Sequence, residues 1–372
     1  MKTPSEYNVN IVLRTYREGD VDRISRLMEE NYPHTLGAQV IRETWLWQFK
    51  NAFSNEKSVA VAEIGSEIIA HYAVMCFDMN YRGTRIIGAL STATVTDRSV
   101  RGKGLFRQLA EKVYADLSTE QCSIIFGFPN SQSIRGFIEK LDWFEICPFP
   151  IHIKIMNTSP LAKKVLGDNV LGTVSGKLGN IAVQSLYWAM KPGKTTSTSG
   201  IDIRHMHSIP EEFESIWEQN HAFERIAITR HRKYLEWRYL KKPFFDYDVY
   251  AAMINGSPAG YLITFTGCKL GIKILFVMEC MARNDSVAVY QMMIDYLNNK
   301  ALTEGTDAVS MLIMPNHPAR SIFIRNGFIP VSRRIFPQEI YFGARLNTDE
   351  VEESYARNKR NWYISWGDLD VV

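Results

Sequence analysis

Apolar and polar residues along the chain change period in a fixed order, and that order occurs twice. The run Ile11–Arg14 leads through a polar turn into a helix-period stretch ending at Asn31; Ile201–Arg204 leads into a similar stretch ending at Asn220. Val59–Gly65 continues into Ile68–Val74, just as Val249–Gly256 continues into Ala259–Ile263. Two alternating runs about a Gly-containing turn predict a β-hairpin in each case. Later in each half come a strand-like run, a Pro-Asn pair, a short helical stretch and an aromatic. The first set is Ile124–Asn130 with Phe137 and Trp143; the second is Val309–Asn316 with Phe323 and Phe328. The spacings are 190 residues from Arg14 to Arg204, 191 from Gly65 to Gly256 and 186 from Asn130 to Asn316. Four correspondences with small drift predict a duplicated unit whose loops have changed length.

The expected fold is therefore mixed α/β in two tandem domains, residues 1–157 and 201–347, with a joining segment over 158–200 and a tail over 348–372. The joining segment holds Gly167, Gly172, Gly176 and Gly179 among apolar residues near helical spacing, followed by a Ser/Thr-rich run from Gly193 to Gly200. It reads as an amphipathic helical linker ended by a solvated loop, with a basic face too weak to argue for membrane contact. The tail carries Trp362, Trp366, Asp368 and Asp370, and two Trp so close to a chain end predict a docked segment. The sharper expectation is that it offers Asp368 or Asp370 to a polar substrate in a cleft between the copies.

Composition narrows the classes. The 372 residues are 46% hydrophobic and 12% aromatic, which suits two packed cores and excludes intrinsic disorder. Lys and Arg total 43 against 40 acidic residues, and a net +3 gives no reason to expect nucleic acid as a partner. Cys76, Cys122, Cys147, Cys268 and Cys280 are scattered, with no CxxC pair. That pattern predicts reduced thiols in a cytoplasmic protein and no metal site. Met1–Asn8 lacks the apolar core of a signal peptide, and no run of about 18–20 apolar residues predicts a membrane span.

One loop carries chemistry. Ile86–Thr96 is strongly β-prone, and the chain then turns through Asp97–Gly104 into Leu105, Leu109, Ala110, Val113 and Leu117 at helix period. Glycines allow backbone N–H groups to approach an anion, and the helix N-terminus adds partial positive charge. The ligand such a nest suits is a phosphate or pyrophosphate. Neither GxxxxGK[ST] nor GxGxxG is present, so a P-loop and a dinucleotide fingerprint are excluded. What stands is Arg101-Gly-Lys-Gly104-Leu-Phe106 after Thr92, Thr94 and Thr96.

This hexamer resembles the acyl-CoA pyrophosphate loop, [QR]-x-x-G-x-[GA], of the GNAT acetyltransferase superfamily, with Phe106 departing at the last position. Asn130, Phe137 and Leu141-Asp-Trp143 resemble the family's later Asn–helix–L-G-[FW] element, Asp142 replacing the glycine. The resemblance covers residues 9–155. Asn316, Phe323, Gly327 and Phe328 repeat the later element, but Ala282–Val287 has no glycine where the loop should be. The resemblance thus implies an acyl-CoA N-acyltransferase fold in tandem, an active first copy and a degenerate second. Tyr234–Tyr239, Pro243–Tyr247 and Trp366–Asp370 are similar to tandem members associated with polysaccharide biosynthesis.

The resemblance further implies an acetyl-CoA-dependent N-acetyltransferase acting on a small amine such as an amino sugar, without a metal. Arg101, Gly102, Lys103, Gly104, Leu105 and Phe106 would hold the pyrophosphate; Thr94, Val95 and Thr96 would pair with pantetheine; Asn130 and Ser133 would contact pantetheine or sulfur. No residue is assigned as base or acid. The family's Tyr position holds Phe137 or Ile138. Asp97 reads as a local cap, His71 and Tyr72 as packing residues on a strand, Glu279 as a relic base or a paired core-edge carboxylate, and Glu236 with Arg238 as groups reaching a cleft between the copies or, more simply, a buried ion pair. Two other readings stay open: a non-catalytic CoA-binding or regulatory protein, and an acyl- or aminoacyltransferase using a longer chain or charged tRNA.

Overall fold

A computed structural model describes residues 11–31, 37–50, 56–166, 170–190, 198–269, 271–331 and 340–369. Met1–Asn8, Gly167, most of the Gly193–Gly200 loop and Asp370 lie outside the described residues.

The first half runs β1 (Val12–Thr15), α1 (Asp20–Asn31), α2 (Ala38–Phe49), β2 (Val59–Ile64), β3 (Glu67–Tyr81), β4 (Thr84–Thr96), α3 (Leu105–Ser118), β5 (Cys122–Gly127), α4 (Ile134–Leu141), β6 (Phe144–Pro148) and β7 (Ile151–Ile155). A helical hairpin follows, α5 (Ser159–Leu166) and α6 (Val170–Met190). The second half runs β8 (Ile201–Met206), α7 (Glu212–Glu218), β9 (Ala227–Ile228), α8 (Arg232–Leu235), β10 (Asp248–Ile254), β11 (Ser257–Lys269), β12 (Ile272–Ala282), α9 (Val287–Thr303), β13 (Ala308–Leu312), α10 (Arg320–Arg325), β14 (Ile329–Pro330), β15 (Tyr341–Leu346) and α11 (Glu353–Arg357).

Both sheets are mixed, and their strand orders correspond. The first is β1-β2-β3-β4-β5-β15-β6, with β9 added beside β3; the second, read from its matching edge, is β8-β10-β11-β12-β13-β7-β14. In each, one parallel pair (β4 with β5, β12 with β13) sits among antiparallel neighbours. The closing strands are exchanged. β7 leaves the first half and pairs with β13, while β15 returns from the second half to lie between β5 and β6. Each sheet therefore needs backbone from the other half to satisfy its edge hydrogen bonds.

The short helices follow their sequence signals. α3 buries Leu105, Leu109, Ala110, Val113, Tyr114 and Leu117, the residues that recur at helix period. α4 ends on Asp142 at φ 56°, its N–H bonded to the Phe137 carbonyl. Asp thus adopts the left-handed cap conformation that Gly327 adopts, at φ 92°, in the matching place of the second half.

The tail docks, as its tryptophans predict, and it docks between the sheets. Trp362 packs on Phe126 and Phe342 of the first sheet, while Trp366 packs on Phe276 of the second and donates to Ser310 Oγ at 3.2 Å. Asp368 does not reach a substrate cleft. It is 3% exposed, accepts from Arg230 at 2.8 Å, and closes a capping box with Ser365. A buried carboxylate without a cation would be too costly there, so the pairing outranks a catalytic role.

Candidate functional site

The site begins where β4 and β5 part. They are paired in parallel as far as Ser91 and Gly127; beyond that point β4 continues to Thr96 while β5 ends. A bulge helps the strand turn away: Ala93 sits at φ 49°, and two residues of β4, Ala93 and Thr94, stand opposite Tyr72 alone. His71 fixes that bulge from the core. Its Nε2 accepts from the Trp45 indole N–H at 3.2 Å, so the proton lies on Nδ1, which donates to the Ala93 carbonyl at 2.6 Å. Burial pushes the imidazole down to about 4, so it is neutral at physiological pH and serves as a positioning group.

A cleft of about 860 Å³ opens at the parting. The turn ahead of α3 forms one wall. Gly102 and Gly104 sit at φ 84° and 78°, where an L side chain would be strained, and no atom but Gln108 Nε2 approaches the missing Cβ positions within 4 Å. No side chain caps α3, and Gly104, Leu105 and Phe106 at its start line the cleft, so its first N–H groups are left for a ligand there. Arg101, Arg107 and Lys140 line the cleft, whereas no Asp, Glu, His, Tyr or Cys is among the described lining residues. The donor set fits an anion carrying several phosphate oxygens.

The aromatic floor explains Phe106. Its ring lies 5.9 Å from Tyr72 and 5.1 Å from Phe137, which in turn lies 4.6 Å from Trp143. Behind them runs a hydrogen-bonded chain. Trp143 Nε1 donates to Tyr114 Oη at 3.1 Å, and 2.8 Å contacts join Tyr114 to Tyr72 and Tyr72 to Ser91 Oγ. An indole can only donate, and the arrangement in which each phenol also donates runs from Trp143 to Ser91; it leaves the O–H of Ser91, a residue of the cleft lining, free for a ligand. Burial raises both phenols, Tyr114 to about 12, so the chain stays protonated. Sequence reasoning did not single out Ser91 or Tyr114, because a serine in a β-run and a tyrosine on a helix carry no local signal.

The other expected residues sort as follows. Thr94, Thr96, Arg101, Gly102, Gly104, Leu105, Phe106, Asn130 and Ser133 all line the cleft. Val95 turns its side chain into the core, and Lys103 is exposed beside the turn; neither side chain lines the cleft. Asn130 Oδ1 accepts from the N–H groups of Gln132 and Ser133 and from Ser133 Oγ, shaping the start of α4. Asp97 accepts from the Ser99 N–H at 2.9 Å, the local cap its position suggests.

The matching place in the second half is built differently. Asn284 and Asp285 occupy left-handed conformations at φ 49° and 52° where the first half uses glycines. The Asp285 carboxylate accepts from Asn220 Nδ2, from both His221 N and Nδ1, and from Tyr290 Oη. Glu279 is 1% exposed, bonded to Arg230, Tyr239, Tyr363 and Ser365, a paired core carboxylate. Glu236 pairs with Arg232, and Arg238 holds the tail through the carbonyls of Gly367 and Leu369, so the expected Glu236–Arg238 pair does not form.

Residues 12–145 match the family described as acetyltransferase (GNAT) domain. The match spans the glycine turn, the parting strands and α4, so the cleft lies within the matched residues. No curated protein matches the sequence. Solved structures share the fold over nearly the whole chain. A GCN5-related N-acetyltransferase from Anabaena variabilis aligns at TM-score 0.63 and 11% identity, covering 91% of this chain and 73% of that one. N-myristoyltransferase from Saccharomyces cerevisiae, with bound myristoyl-CoA, aligns at 0.58 and 10%, covering 98% and 92%. Eis1 from Mycobacterium abscessus aligns at 0.57 and 12%, covering 94% and 76%. At these identities the likeness is one of fold: an N-acyltransferase fold with two mixed sheets.

Proposed function

We propose that the chain is an acyltransferase that moves an acetyl group from acetyl-CoA to a small amine, with the GNAT domain binding the cofactor and the second half shaping the acceptor side. The observation that carries this reading is that the parting strands β4 and β5 share one cleft with an uncapped helix N-terminus preceded by two left-handed glycines. In this reading the N–H groups of Gly102–Phe106, with Arg101 and Lys103, hold the pyrophosphate. Backbone of Thr94–Thr96 pairs with the pantetheine amides, while Asn130 and Ser133 border its path. Acetyl-CoA supplies an activated thioester when bound. N–H groups at the β4 bulge polarise its carbonyl; as the amine forms the new C–N bond and the C–S bond breaks, the Ser91 hydroxyl, which lines the cleft, can relay the proton lost by the amine to the departing sulfur. An amino sugar of a surface-polysaccharide route is the acceptor that the family resemblance suggests. The corresponding strand orders support two copies of one unit, the second without a cofactor turn.

Titration calorimetry of acetyl-CoA into the wild type and Gly104→Asp tests the reading. Asp would set a side chain and a negative charge in the anion nest, so micromolar binding that disappears in the variant is the expected result. An absence of binding by the wild type overturns it.

One observation favours a second reading. No carboxylate, imidazole, phenol or thiol that could act as general base is among the described lining residues of the cleft, which suits a domain that binds CoA without catalysis. Acetyl-CoA binding with no CoA release over a broad amine panel would establish that alternative.

A further inference from the structure

The helical hairpin α5–α6 is not part of either sheet. Its 21-residue second helix, about 30 Å long, is held along one edge. A Cβ at Gly176 would come within 2.8 Å of Ser159, and one at Gly179 within 2.6 Å of Thr158 Oγ1, so both glycines permit close approach to the neck of the hairpin. Asn180 Oδ1 accepts from Thr158 N and Oγ1, and its Nδ2 donates to Asn157, which donates to Asp307 of the second half. At 100° per residue, Gly176, Gly179 and Asn180 share one side of the helix.

The opposite side is apolar and open. Val174, Leu178 and Ile181, spaced at i, i+4 and i+7, are 48%, 62% and 62% exposed. Exposed Lys177 borders them. The charge is also unevenly shared. Residues 158–200 carry five lysines and one aspartate in a chain whose total is +3, so the positive excess resides in this segment. No described helix is long and apolar enough to cross a membrane. An aliphatic stripe on a net cationic hairpin has the chemistry of a segment that lies in an interface.

We propose that the α5–α6 hairpin docks this protein on an anionic phospholipid surface, with Val174, Leu178 and Ile181 entering the headgroup–acyl boundary, Lys177 beside them meeting lipid phosphate, and the segment's net positive charge drawing it to the surface. The weak basic face visible in the sequence argued against membrane contact. In the folded hairpin the anchored edge leaves the aliphatic stripe uncovered, so apolar burial, rather than charge alone, drives the docking. A second copy of the chain is the competing occupant of the same stripe.

Co-sedimentation of the full chain with phosphatidylcholine vesicles, with and without about one quarter phosphatidylglycerol, tests this. The wild type should bind the anionic vesicles, bind them less as salt rises, and bind pure phosphatidylcholine weakly. Leu178→Asp/Ile181→Asp should lower binding by about tenfold or more. Lys177→Glu, a single surface change that leaves the apolar stripe intact, should lower it by a smaller factor. Acetyl-CoA binding should be unchanged in all variants, which separates this proposal from the reading of the cleft. Failure of the wild type to bind anionic vesicles overturns it, as does equal binding by the double variant. A dimer in light scattering that dissociates in the double variant, without vesicle binding, would assign the stripe to a second copy instead.

Discussion

Trp47 and Trp237 stack at 4.4 Å with their planes 8° apart, and each indole N–H donates to the other's backbone carbonyl at 3.1 Å. The two residues are 190 apart, the spacing that relates Arg14 to Arg204. A reciprocal contact between corresponding positions is what a local two-fold relation produces. The exchanged strands obey it too: Ile151–Ile155 and Tyr341–Leu346 also start 190 residues apart.

Removing one side of that contact should loosen the join between the halves. Trp47→Phe keeps the stack but deletes one donor, leaving the Trp237 carbonyl without that indole bond. The expected loss is about 1–2 kcal/mol in urea unfolding. A loss no larger than that of an exposed control substitution would show that the contact contributes nothing.

Acid should weaken the fold through buried histidines. Burial holds His71 down to about 4, and it lowers His152 and His317 as well. The unfolded chain takes up these protons near pH 6.5 and the folded chain does not, so stability declines as pH falls from about 6.5 towards 4. His71→Gln can retain both hydrogen bonds without titrating. It should flatten the decline by up to about 1.4 kcal/mol per pH unit, measured as unfolding free energy against pH.

Arg230 is the only cation hydrogen-bonded to both Glu279 and Asp368 among the described residues. Arg230→Met would strand two buried carboxylates, at a cost of about 3–5 kcal/mol. Truncation after residue 360 would go further, removing the buried Trp362, Tyr363, Ile364, Trp366 and Leu369. We expect it to abolish cooperative unfolding, read by circular dichroism; retention of the wild-type melting transition would contradict the docked arrangement.

If acetyl transfer is the reaction, its pH profile should report the acceptor. With no carboxylate, imidazole, phenol or thiol among the described cleft residues, kcat/KM should rise with pH to the acceptor amine's own pKa, and shift when amines of different pKa are compared. A fixed limb near neutrality for every amine would reveal a base in the enzyme.

Ser91→Ala separates the hydroxyl from the fold. The neighbouring chain of Tyr72, Tyr114 and Trp143 remains satisfied apart from its last bond. A drop of about tenfold or more in kcat, with KM for acetyl-CoA unchanged, would fit a proton donor to the leaving sulfur. An unchanged kcat would leave Ser91 a merely structural hydroxyl.

The amino-acid sequence by itself determined the local elements and the chemistry of the glycine turn. Periodicity shows α3 at Leu105–Leu117 because one side of a helix must be apolar to pack, and the turn before it because only a few residue types tolerate a left-handed backbone. The doubled order of elements was legible for the same reason: each copy needs the same alternation to bury the same faces. Tertiary structure decided what depends on contacts between residues far apart in the chain. No local pattern says that β7 and β15 exchange sheets, since a strand's alternation specifies which face is buried and not which edge it joins. Nor does it say that Asp368 meets Arg230 across 138 residues, or that His71 holds the Ala93 bulge. Those partners are fixed by burial, which makes an unpaired charge or carbonyl expensive only after the chain has closed around it.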